Sequence, residues 1–132
     1  MLKRYRSAWV AFAVGLVFIP GCSKDTTVYL NNTSEVTTPV SLAKDMQPIF
    51  TKSCALSGCH AAGGKAPTLT DGSSYSSLIN GNYINTSKPE ESVLYLWLTG
   101  KKTPAMPMGA ANNPSNINGL TLAWIKQGAK NN

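Results

Sequence analysis

"CALSGCH", residues 54–60, is the stretch whose reading decides this chain. Cys54 and Cys59 stand four residues apart, and His60, the single histidine of the 132-residue chain, follows the second thiol directly. A disulfide is one reading, but the loop closed is so short that the gain in stability would be small, and His60 would be left idle. A zinc site is another. Zinc asks for about four ligands, and Cys54, Cys59 and His60 have no carboxylate near them in sequence to complete the set.

A third reading uses all three residues at once. Cys-x-x-Cys-His is the attachment signature of c-type haem, in which two thiols bond the two vinyl groups and the histidine lies under the iron. Here the spacer is four residues, Ala55 to Gly58, rather than two. Two extra residues can bulge without moving either anchor, and Gly58 suits a bulge because glycine accepts backbone angles closed to other residues.

Working outward, the N-terminus supplies the compartment that such an attachment needs. Lys3, Arg4 and Arg6 precede an apolar run from Ala8 to Ile19. The run is short of the ~20 residues of a spanning helix and has the layout of an export signal. It ends in "FIPGC", which resembles a bacterial lipobox. That resemblance implies cleavage after Gly21 and lipid on Cys22, with several acyl chains together giving stable membrane anchoring. With Cys22 lipidated, Cys54 and Cys59 remain as a pair. The whole chain carries a formal charge of +6, but residues 1–21 hold three of its 12 cationic side chains and none of its acidic ones, leaving +3. No basic patch remains, which argues against nucleic acid as a partner.

Residues 22–39, rich in Thr, Asn and Ser, are expected to form the lipidated, flexible tether, and residues 40–132 the folded domain. A domain of that size gains from covalent or cofactor support. Its pattern predicts helices joined by long loops, with no convincing strand and no repeat. Leu42, Met46, Ile49 and Phe50 have helical spacing, with Pro48 placed in a first turn, so a helix should begin near residues 44–47 and run into the cysteine motif. "GSSYSSLIN" should form one or two turns ending at Gly81. "SKPEESVLYLWLTG" predicts a helix opened by a Ser87/Glu90 capping box with Pro89 in its first turn, stopped by Gly100 and largely buried. The last helix should cover residues 117–128.

A haem iron held by one histidine takes a sixth ligand or keeps an open face, and methionine is the usual partner in electron-carrying cytochromes c. "TPAMPMGA" offers Met106 and Met108 in a Pro-rich loop between two expected helices. Together "DMQPIFTKSC", the Cys-His motif, "ESVLYLWLTG", "MPMG" and "LAWIKQGAKNN" resemble the small lipoprotein cytochromes c of Bacteroidetes-type bacteria, related to Planctomycete-type cytochrome c domains. The resemblance covers about residues 43–132. It implies a mainly α, cytochrome c-like domain wrapped around one covalently bound haem, with long loops. It also implies Met106 on the iron, with Met108 in reserve where the family often has proline. "APTL", residues 66–69, resembles the loop whose carbonyl orients the haem histidine, which singles out Pro67.

Trp97, Trp124, Leu94, Leu96, Leu120 and Tyr75 are expected to wall the haem or the helix crossing. No Arg follows residue 6, so propionates must be met by Lys, Trp, Tyr, Asn or backbone donors, with Tyr83, Tyr95 and the Trp indoles as candidates. The expected function is an exported monohaem cytochrome c, lipid-anchored in the cell envelope with its domain in the periplasm or at the cell surface. It would pass single electrons to a redox partner protein and turn over no substrate, since no acid–base pair or activated nucleophile is visible. The alternatives are a haem-free surface module with a Cys54–Cys59 disulfide, and a cytochrome c-type subunit with an open iron face for sensing or catalysis.

Overall fold

Ser41 opens the helical framework. Its backbone is extended, its hydroxyl accepts from the Lys44 N–H at 3.2 Å, and its own N–H donates to the Asp45 carboxylate at 2.7 Å. This reciprocal cap satisfies donors that the first turn leaves over. One π-helical turn, Leu42–Met46, leads into α1, Gln47–Ser53, where Pro48 sits in the first turn and its missing N–H costs nothing. The π-helical turn is an addition, and the α-helix itself starts within the expected residues 44–47. It stops at Cys54, delivering the first thiol at its C-terminal end. The computed structural model describes residues 35–108 and 115–132; the export signal, Cys22 and most of the expected tether lie outside these residues.

Three more helices follow: α2, Ser74–Asn80; α3, Val93–Leu98; and α4, Ser115–Lys126. Among the described residues there is no strand, in keeping with the mainly α expectation. No described helix is long and apolar enough to cross a membrane.

The expected single helix over "SKPEESVLYLWLTG" is in fact split. Pro89–Glu91 make one 3-10 turn, Ser92 is extended, and α3 starts only at Val93. The capping box does not form. Asn85 takes its place, accepting from the N–H groups of Ser87 at 3.1 Å and Lys88 at 3.0 Å. The fully buried Ser92 hydroxyl accepts from the Asn85 N–H at 2.9 Å, which holds residue 92 out of helical geometry. Glu90 pairs with Lys126 of α4 at 3.5 Å instead of capping.

The core gathers Met46, Phe50, Leu78, Trp124 and Ile125, all essentially inaccessible. The Trp124 indole N–H donates to the Lys130 carbonyl at 2.9 Å, so burying this large ring strands no polar atom. At the edge of α4, Gln127 clasps the incoming chain, accepting from the Val40 N–H at 2.8 Å and donating to the Thr38 carbonyl at 2.9 Å. Leu94 and Leu98 of α3 join the core from the far side, and an apolar cleft lies between α1, α3 and the start of α4.

Candidate functional site

The segment after α1 is folded back on itself by backbone bonds. The Cys54 and Ala55 N–H groups both donate to the Phe50 carbonyl, ending the helix. The Cys59 N–H donates to the Leu56 carbonyl at 2.9 Å and the His60 N–H to the Cys54 carbonyl at 3.1 Å, so the four spacer residues close as a hump between the two anchors. Leu56, at 48% exposure, marks its outer side. Gly58 takes φ +77°, a conformation that side chains resist. Gly64 is required for a different reason: a Cβ there would run into the Cys59 carbonyl, because the Lys65 N–H reaches back to that same oxygen at 2.7 Å.

This fold-back fixes the imidazole. His60 Nδ1 lies 2.9 Å from the Pro67 carbonyl oxygen and 3.1 Å from that of Lys65. Carbonyl oxygens only accept, so Nδ1 carries the proton and Nε2 keeps its lone pair for a ligand. Pro67, singled out from sequence, occupies the position expected of it.

Cys54, Cys59, His60, Met106 and Met108 all line one cleft of about 800 Å³, part of it open to solvent. The thiols and imidazole come from one segment and the methionines from the loop after α3, which is tied back by Met106 N–H to the Trp97 carbonyl at 3.0 Å. Met106 is half-buried, whereas Met108 is 69% exposed. The rest of the wall is apolar. Leu94 and Trp97 line the cleft, while Trp124 is buried in the core with Tyr75 and Leu120 packed against it, so these five take one or the other of the two expected places; Leu96 is not on the cleft. Sequence reasoning passed over Ile49, Phe50, Leu69, Leu98 and Ile117, which are. The signal was present in part: Ile49 and Phe50 lie one turn before Cys54, on the helix that presents it.

Burial pushes the Cys54 thiol up to about 11, with the neighbouring Cys59 adding to the effect. Both cysteines are free, Cys54 half-buried and Cys59 exposed. Among the described residues, no three His, Cys, Asp or Glu side chains converge to hold a bare metal ion.

One polar atom stands out in the apolar wall. The Trp97 indole N–H is buried and has no hydrogen-bond partner, an arrangement that ordinarily costs about 1–3 kcal/mol. Its ring packs against Tyr83 at 5.7 Å between centroids, and Lys102 Nζ lies 5.8 Å from its centre. Tyr95 lines a separate groove beside α4. The residues therefore fit a haem: an apolar cleft, two thiols, an imidazole with Nε2 free, thioether sulfurs, and an unmet indole donor on a residue of the wall. No known family profile matches the chain, and no curated protein or solved structure is detectably similar to it.

Proposed function

We propose that this chain is an exported, lipid-anchored monohaem cytochrome c that carries single electrons between partner proteins. The observation that carries the reading is the state of His60: its Nδ1 faces two carbonyls, so its ligating nitrogen is available in a cleft that also holds both thiols. When bound, haem supplies an iron centre that accepts and releases one electron.

Each side chain then has a definite task. Cys54 and Cys59 would hold the haem covalently, each through a thioether to one of its two vinyl groups. His60 Nε2 would be the nitrogen that holds the iron, while the Nδ1–H bond to the Pro67 carbonyl fixes the plane of the ring and raises its basicity. Met106 is the favoured second ligand, since it is half-buried on the cleft and its backbone is pinned to Trp97, and a thioether there raises the potential. Phe50, Leu69, Leu94 and Leu98 exclude water. Trp97 Nε1–H, with Lys102 nearby, meets a propionate. The lipid on Cys22 keeps the domain at a membrane, with a redox protein as partner and no nucleic acid.

The test is the intact mass of the full chain purified from a host that attaches haem after export. The mass of one haem on the peptide containing Cys54 and Cys59 is expected. Recovery of that peptide with two unmodified thiols, or with a disulfide, would overturn the proposal.

A further inference from the structure

Behind His60 lies a second tier of buried polar groups. Gln47 of α1 is only 7% exposed, and its side-chain amide is fully engaged. Its Nε2 donates to the Leu69 carbonyl at 3.1 Å and to Thr51 Oγ1 at 3.3 Å, and its Oε1 accepts from the buried Ser74 hydroxyl of α2 at 2.5 Å. Leu69 is held from its other side as well, because its N–H donates to the His60 carbonyl at 2.8 Å. Two residues earlier stands Pro67, whose carbonyl faces His60 Nδ1. One amide thus joins α1, α2 and the segment that sets the imidazole.

A glutamine is a costly occupant of a core. Burying an amide is tolerated only when its partners are supplied, and here they are backbone and side-chain groups of other elements rather than the apolar neighbours of an ordinary core residue. Packing alone gives no reason for Gln47. Holding the Leu69 carbonyl at a fixed distance from α1 does.

We propose that Gln47 is a positioning residue for His60: through Leu69 it fixes the 67–69 segment, and so the bond between the Pro67 carbonyl and Nδ1–H. The consequence for the iron rests on the proposed function, because it needs His60 as the ligand. A firm Nδ1–H bond makes the imidazole a stronger donor and favours the oxidised iron. Loosening it should raise the reduction potential.

Gln47→Met keeps length and volume but removes the donor to Leu69. It should speed solvent exchange of the His60 Nδ1–H roughly fivefold or more, the factor for losing a hydrogen bond of ordinary net strength, and raise the potential. Gln47→Asn, polar but one methylene shorter, should do the same by a smaller factor and guards against a variant that fails to fold. Ser74→Ala removes a different bond of the same amide and leaves the link to Leu69, so it should lower stability while leaving exchange and potential as in the wild type. A purely structural Gln47 would give the opposite pattern: lower stability in all three variants and unchanged Nδ1–H exchange, which would overturn the inference. The ring proton can be followed by NMR in haem-free protein too. A wild type without haem would therefore sink the proposed function while the positioning role was still tested.

Discussion

The two halves of the cleft are built differently. On the histidine side, the ring nitrogen faces two carbonyls, the His60 N–H and carbonyl are both bonded, and the segment behind is clamped by Gln47 and by Ser77, whose hydroxyl accepts from the Thr68 N–H at 2.8 Å. On the methionine side, two candidate sulfurs lie two residues apart in a Pro-rich loop, one half-buried and one mostly in solvent. The contrast teaches that the orientation of the imidazole is specified by the chain itself, while the two sulfurs are told apart by their depth in the cleft.

Five substitutions, one of them read against pH, probe that contrast. The largest effect belongs to His60→Ala, which should abolish stable haem incorporation, seen as loss of visible absorbance in material purified from an attachment-competent host. Met106→Ala should come next and differ in kind. Haem should remain covalently bound, but the methionine–iron charge-transfer band should vanish and the potential should fall. Met108→Ala should keep both, because its side chain is 69% exposed. Loss of the band in Met108→Ala alone would reverse the assignment of the loop.

Gly64→Ala tests the histidine side without touching a ligand. Its Cβ would press on the Cys59 carbonyl, and such overpacking should cost about 1–3 kcal/mol in urea unfolding. The same assay at unchanged midpoint would mean that the fold-back is softer than its bonds suggest.

The smallest effect concerns Cys54 in haem-free protein. Its thiol ionises near pH 9.0 when unfolded and near 11 when folded. Between those values the unfolded chain has released the proton and the folded chain has not, so stability should decline as pH rises from about 9 to about 11. Below 9.0 this thiol should add no slope. Cys54→Ser should flatten the decline, and an unchanged slope would place the cause elsewhere. Iodoacetamide should also reach the exposed Cys59 well before Cys54.

Much of this was legible in the sequence because local chemistry enforced it. Pro48 falls in a first turn, Gly58 takes a positive φ in the hump, and Gly100 closes α3 at φ +72°. Cys54, Cys59 and His60 line one cleft, as their contiguity in the sequence suggests. The misreadings came where distant groups decided. Ser87 and Glu90 have capping-box spacing, but Asn85 and Lys126 offered those groups other bonds. The choice between cleft and core, left open by the sequence, went to the core for Tyr75 and Leu120, because which face of each helix meets the cleft depends on crossings that no local pattern encodes. Gln47 was invisible for the same reason, since its three partners lie four, 22 and 27 residues away.

The most direct test is the visible and near-infrared spectrum of the oxidised full chain from a host that attaches haem, followed by titration with a reductant. A low-spin spectrum with the methionine–iron band, converting to the reduced form in one reversible one-electron step, is the predicted result. Colourless protein would contradict the haem itself, and a high-spin spectrum without that band would contradict an iron closed between His60 and Met106.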